Sequence, residues 1–276
     1  MMANPFRRHP LTRYEWAWDR VATGSGCHLD VGCDAGVLVA ALHEGTSRAV
    51  VGVDVDRSLL LRLRDRLPDG HAVQVGPLDP LPFADATFTT ATVLEVAEHV
   101  PDERALLAEV ARVLAPGGRL LLSVPAAHAF SFLDPDNARL RWPVLYRLAW
   151  RIRRRDSARR PGTAGQRAGT AGQRAVAGPV GNGITERAEH TNFEPAAIAA
   201  LIESVGLRLD REEGSGLFFR WLQIPALLLP GAAGRLAERL MVADAHLFAG
   251  PPGTGLTRRA NLFVTAIKDH AQPARP

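Results

Sequence analysis

The chain of 276 residues predicts an α/β fold: a doubly wound, mostly parallel seven-stranded sheet with its last strand antiparallel and helices on both faces. Three observations carry that prediction. From Cys27 to Val124, short apolar runs alternate with stretches of helical periodicity, the pattern of a parallel sheet covered on both sides. A glycine-punctuated turn, Gly32-Cys33-Asp34-Ala35-Gly36, joins the first apolar run to the first of these helical stretches. After an irregular middle section, two more strand-like runs bring the count to seven, and the chain is long enough to bury a core as one large domain.

In chain order, an amphipathic helix around Arg13–Ala22 comes first. Strands are expected at Cys27–Val31, Ala49–Val53, Ala72–Val75, Thr89–Val93 and Arg119–Val124. Between them fall helices at Val37–Glu44, Ser58–Arg66 and Asp102–Leu114. Pro101-Asp102 opens the last of these, and Ala115-Pro116-Gly117-Gly118 is expected to stop it. Residues 126–150 mix aromatic and charged side chains and read as a segment that shapes a substrate pocket. Residues 151–183 read as a disordered Arg/Gly/Ala-rich insert, because they repeat GTAGQRA at 162–168 and 169–175 and hold almost nothing to bury. A helix at Glu194–Val205 and a strand at Leu207–Arg211 resume the order. A helical excursion over Phe218–Phe248 and a final strand at Asn261–Lys268 follow. The chain thus reads as a single domain over 1–276, with a cofactor-binding core at 27–125 and a C-terminal part at 184–276 that supplies a substrate cap and the last strands.

The net charge of +4 suggests nucleic acid, but its location argues against that. Eight arginines against one acid lie between Arg151 and Arg174, a local +7, so the rest of the chain is near −3 (4 − 7). No basic folded face remains for nucleic acid. The two cysteines, Cys27 and Cys33, form neither a metal-ligand set nor a disulfide framework, so no metal and a cytoplasmic location are expected. The N-terminal residues lack the apolar run of a signal peptide. The apolar stretch Leu217–Leu229 is too short to span a bilayer, which leaves at most a weak membrane-surface contact or pocket lining.

A strand ending at Asp30 runs into the glycine turn and then into a helix, so backbone N–H groups face whatever approaches. A second strand ends in Asp54, 24 residues later, where a carboxylate can take both hydroxyls of a ribose. The turn lacks the G-x-G-x-x-G of a dinucleotide site, and Asp30 would set negative charge against a pyrophosphate. A cofactor bearing an amine and a sulfonium, S-adenosylmethionine, suits that acid better.

LDVGCDAG, VVGVDVD, LPFADATF, EVAEHVPD and RVLAPGGRLLLSVP stand in the order and spacing of a known family. The chain resembles the class I, Rossmann-like S-adenosylmethionine-dependent methyltransferases, particularly their small-molecule subgroup, closely over 27–125 and loosely elsewhere. The resemblance implies that Asp30, Gly32, Cys33, Asp34 and Gly36 frame the methionine end of the cofactor. It implies that Asp54 binds the ribose with Val55 beside the adenine, and that Leu78 and Asp79 face the adenine amino group. Leu94 and Glu95 would then lie beneath the sulfonium. The chain departs from the family pattern at Asp34, in place of the middle glycine, at Pro77, where an acid is commonest, and at Thr89, where aspartate is usual.

Methyl transfer from a sulfonium requires alignment and exclusion of water above all, and a base only when the acceptor must lose a proton. His128, His190 and His99 are the candidate bases, and Glu95 is read first as a cofactor contact. Phe130, Phe132, Trp142 and Tyr146 favour an apolar acceptor. The expected activity is transfer of a methyl group to an O, N or C atom of a small, lipophilic acceptor. The alternatives are a non-catalytic cofactor-binding partner protein, a macromolecule-modifying methyltransferase and, last, a nicotinamide oxidoreductase.

Overall fold

A computed structural model describes residues 3–7, 12–67, 72–74, 80–127, 192–217, 231–254 and 258–269. Among them, seven strands form one sheet: β1 (His28–Val31), β2 (Val50–Asp54), β3 (Ala72–Gln74), β4 (Phe88–Leu94), β5 (Leu114–Pro125), β6 (Leu207–Ser215) and β7 (Asn261–Lys268). Their spatial order is β3-β2-β1-β4-β5-β7-β6. β1 through β5 pair in parallel, and β7 runs antiparallel to both β5 and β6. This is the sheet expected from the sequence.

The described helices are α1 (Thr12–Val21), α2 (Val37–Gly45), α3 (Arg57–Arg66), α4 (Glu103–Val113), α5 (Pro195–Ser204) and α6 (Gly231–Leu247). They divide the core into two layers. Leu107 and Val110 of α4 and Ile198 and Ile202 of α5 pack with Leu29, Val31, Val93 and Leu122 on one face. On the other, Trp18 of α1, Leu38 and Leu42 of α2 and Leu63 of α3 pack with Val50 and Leu121. Strands between two helical layers bury both faces, which explains why their sequences read as continuous apolar runs.

Caps mark the helix starts. Asp56 accepts a hydrogen bond from Ser58 N at 2.8 Å to begin α3, and Asp102 accepts one from Ala105 N at 2.8 Å to begin α4. The start of α2 has no side-chain cap and enters through Gly36 at φ 71°. At the other end of α4 the expected stop is different in kind. Ala115–Gly118 belong to an irregular start of β5, with a register break between the Phe88–Leu114 and Thr90–Arg119 pairs and Gly117 at φ 75°. Lys268 of β7 donates to the carbonyls of Ala111 (2.7 Å), Arg112 (3.3 Å) and Leu114 (2.7 Å), covering the last carbonyls of α4. β6 extends four residues beyond the predicted end, held by pairing with β7 through Ser215–Asn261. No described helix is long and apolar enough to cross a membrane.

Gly36 cannot be replaced cheaply. A Cβ there would stand 2.4 Å from a methyl of Leu63, on a backbone that L side chains rarely adopt. Gly36→Ala is expected to lower the unfolding free energy by roughly 3 kcal/mol, adding left-handed strain to overpacking, as read from denaturant unfolding. An unchanged midpoint would show that α3 yields freely.

Candidate functional site

The turn between β1 and α2 is built from left-handed residues. Gly32, Asp34 and Gly36 have φ of 69°, 50° and 71°. Asp34 therefore takes the conformation that a glycine would adopt, and aspartate pays less for it than most residues. The turn is tied to the neighbouring strand: Gly32 N and Cys33 N both donate to Val53 O, at 2.9 and 3.0 Å. A Cβ at Gly32 would meet Val96 at 2.3 Å, so the backbone is fitted against the turn after β4.

Asp54 stands beside this turn at the end of β2. Its Oδ2 accepts from Asp34 N at 2.8 Å and its Oδ1 from Asp56 N at 2.9 Å. Two amides fix the carboxylate, and each oxygen keeps a lone pair for a further donor. Val55, half-buried, follows it.

Asp30 is buried in β1, and Thr92 Oγ1 donates to its Oδ1 at 2.6 Å. Burial pushes its carboxyl up to about 7, against the pull of the Thr92 hydroxyl and with Asp54 and Asp34 adding to the rise. Burial and the neighbouring Asp54 also raise the Asp34 carboxyl. Three carboxyl groups thus converge at the C-terminal ends of β1 and β2, an arrangement that calls for cationic or hydroxyl-bearing partners. Cys33 is buried with its sulfur near the α-carbon of Gly52, and burial pushes its thiol far up, so it packs and does not react.

At the end of β4, Glu95 is also left-handed, with φ 58°. Its N–H donates to Ser123 O and the Ser123 hydroxyl donates to its Oε1, both at 3.0 Å. A non-glycine residue held this way by its tertiary contacts is a common mark of a functional position. Leu94 before it packs into the layer formed by α1 to α3. His99 lies half-buried in the following turn, its N–H donating to Val96 O at 2.9 Å. The candidates Leu78, Asp79, His128 and His190 lie outside the described residues, as do 128–150 of the pocket segment and the arginine-rich insert.

What α1 brings here was not visible in its amphipathic pattern. Arg13 and Tyr14 stack at 5.2 Å from guanidinium to ring centroid. Burial works against the Arg13 charge, but Tyr14, Glu95 and Glu98 together hold it above its ordinary value. Burial pushes the Tyr14 phenol up; Arg13 offsets this, and Asp30 and Asp34 reinforce it. The first turn of α1 therefore faces the acids of both β1 and β4. Only a helical face pointing at the sheet was visible in advance, not which end of the sheet it would cover.

An acid with a raised pKa holds its proton more tightly when folded, so its stabilising effect is full below about pH 4 and is lost as pH rises through about 7. Asp30→Asn is therefore expected to stabilise the ligand-free protein at pH 8 by on the order of 4 kcal/mol, and to change little at pH 4. Thermal unfolding at the two pH values checks this. Equal effects at both would show that Asp30 is not burdened by its burial.

Comparison with known proteins agrees with the fold. Residues 29–122 match the family model described as a methyltransferase domain. Over 115 residues the chain is 36% identical to a methyltransferase of Streptomyces halstedii, covering 40% of this chain and 41% of that one. Over 98 residues it is 40% identical to a ubiquinone/menaquinone biosynthesis C-methyltransferase of Desulfotalea psychrophila, covering 35% and 40%. The matched stretch thus spans about two fifths of these relatives. Among solved structures, a Thermotoga maritima methyltransferase described as a possible histamine N-methyltransferase has the same fold. Its TM-score is 0.57 at 13% identity, over 94% of this chain and 89% of that one.

Proposed function

We propose that the protein, whose residues 29–122 match the family model of a methyltransferase domain, moves the methyl group of S-adenosylmethionine to an O, N or C atom of a small, lipophilic acceptor. The observation that carries this reading is the pair of carboxylates on either side of the left-handed turn, Asp30 in β1 and Asp54 fixed by two amides.

The residues fit the cofactor. Asp54 has one lone pair on each oxygen for the two ribose hydroxyls, and Val55 offers an apolar side chain for the adenine, with Leu78 and Asp79 proposed beside it. Asp30 suits the amine, while Gly32 and Cys33 give a backbone with no room for a side chain at the glycine. The uncapped start of α2 at Gly36 leaves its amides for the cofactor's carboxylate, and Arg13, whose charge acts on the Asp34 carboxyl, adds a cation. A pyrophosphate would instead face Asp30, Asp34 and Asp54, which speaks against a dinucleotide.

When bound, the cofactor supplies an electrophilic methyl group with a neutral leaving group. The chain's part is to hold donor and acceptor in line and keep water out. Tyr14 and Trp18 of α1 are buried against the site's own face of the sheet. Glu95, held by Ser123, presents a carboxylate near the end of β4 for the cofactor's charged centre. Where the acceptor must lose a proton, His99, His128 and His190 are the groups proposed to take it. The Desulfotalea relative's name supports a lipophilic acceptor, as do the aromatic residues between Phe130 and Tyr146.

Titration of S-adenosylmethionine into the full chain by calorimetry tests the reading. Binding is expected at pH 7.5 and is expected to weaken by up to about tenfold per unit as pH falls below about 7, where Asp30 gains a proton. Asp54→Ala is expected to cost roughly a hundredfold by removing hydrogen bonds to both ribose hydroxyls. Absence of binding at millimolar cofactor would overturn the proposal. Binding without turnover across labelled-cofactor screens of cell extracts would move it to a non-catalytic partner protein.

A further inference from the structure

The middle of the sheet carries polar residues where a parallel sheet covered on both sides is normally apolar. β1 and β4 pair in the register His28–Thr90 and Asp30–Thr92, so the side chains of these four residues share one face. His28 and Thr92 are fully buried, Asp30 and Thr90 nearly so, and Arg48, just before β2, is buried at the far end of the row. Such a row costs free energy unless every group is paired.

The pairing runs unbroken. Arg48 Nη1 donates to Val21 O, the last residue of α1, at 2.9 Å, and Nη2 donates to Thr90 Oγ1 at 2.8 Å and to Thr89 Oγ1 at 3.0 Å. Thr90 Oγ1 lies 2.8 Å from His28 Nδ1, and His28 Nε2 lies 3.1 Å from Thr92 Oγ1. Thr92 Oγ1 lies 2.6 Å from Asp30 Oδ1. Its other acceptor, Leu29 O, is at 3.4 Å and competes weakly.

The Asp30 end fixes the direction of the bonds. When ionised, above a pH of about 7, the carboxylate only accepts, so Thr92 spends its one proton on Asp30 and must accept from His28 Nε2. The neutral ring then carries its proton on Nε2 and leaves Nδ1 to accept from Thr90, whose oxygen in turn accepts from Arg48, a group that only donates. Burial and the Arg48 charge push the ring's pKa down to about 3, so it stays neutral.

We infer that His28 is a positioning residue for the cofactor site. Its neutral Nε2-protonated ring links the buried Arg48 cation to Asp30 through Thr90 and Thr92, favouring the ionised aspartate against its burial and aiming it with Oδ2 left for a ligand. The bonds all point the same way, so each polarises the next. The inference rests on the reading that Asp30 faces the cofactor's amine, and it assigns to His28, Thr90, Thr92 and Arg48 a role none of them could play by contact with the cofactor.

Two measurements on the full chain test it. Long-range proton–nitrogen NMR of the wild-type protein is expected to show His28 protonated on Nε2 alone. Calorimetry with S-adenosylmethionine is expected to show a loss of roughly tenfold for Thr92→Val and about threefold for the more distant Thr90→Val. Thr92→Ser, which restores the hydroxyl, is expected to bind within a factor of about two of wild type. Thr92→Val is also expected to mix the two His28 tautomers, whereas Thr90→Val is expected to keep the Nε2 form. A wild-type ring protonated on Nδ1, or valine variants that bind like wild type while Asp30→Asn loses the cofactor, would overturn the relay and leave Asp30's role standing. Unchanged affinity in Asp30→Asn would overturn both. The tautomer needs no variant, so a valine substitution that fails to fold still leaves the inference open to refutation.

Discussion

Asp30 puts an ionisable carboxyl on a strand that is covered by helices on both sides, and much of the surrounding structure answers that placement. A buried carboxylate loses its hydration and must recover it from fixed donors. Thr92 provides one, and the row behind it carries the influence of a cation from the opposite end of the strands. Arg48 at that end also holds the last carbonyl of α1, so the helix whose first turn carries Arg13 and Tyr14 is tied at its other end to the same row. The site and the helix over it are thus parts of one polar framework inside an otherwise apolar core.

Two of the three described non-glycine residues with left-handed angles, Asp34 and Glu95, lie at the same end of the sheet, each next to a residue that anchors it, while the third, Ala86, precedes β4. Asp34 spends its amide on Asp54, and Glu95 spends its amide and one carboxylate oxygen on Ser123. In both cases a neighbouring strand supplies the compensating bond. Strain of this kind persists only where tertiary contacts over-determine the conformation. Asp34 shows that the turn can forgo its middle glycine when the substituted side chain tolerates the angle, at the expense of one more negative charge among the acids.

Most of the fold was legible in the sequence because its signals are local. Alternating periods, the Gly32–Gly36 turn and the Asp102 cap each act over a few residues, and they placed the strands and helices along the chain. The end of β6 and the irregular start of β5 were not legible, since both depend on which strand lies alongside. The same holds within the site. Asp30 and Asp54 stood out because each closes a strand at a glycine-rich boundary. His28, Thr90 and Thr92 did not, because their significance arises only when β1 and β4, about sixty residues apart, come into register. Read alone, a threonine in a strand says no more than that it is β-branched.

The chain has a single lysine, and the structure uses it to join two elements that the sequence keeps far apart. Lys268 Nζ reaches from β7 to three carbonyls at the junction of α4 and β5. An ammonium engaged in this way is a poor nucleophile until those bonds open. Reagents that acylate amines would therefore modify this side chain only as fast as those bonds open, so the rate at Lys268 reports local opening where β7 meets the end of α4.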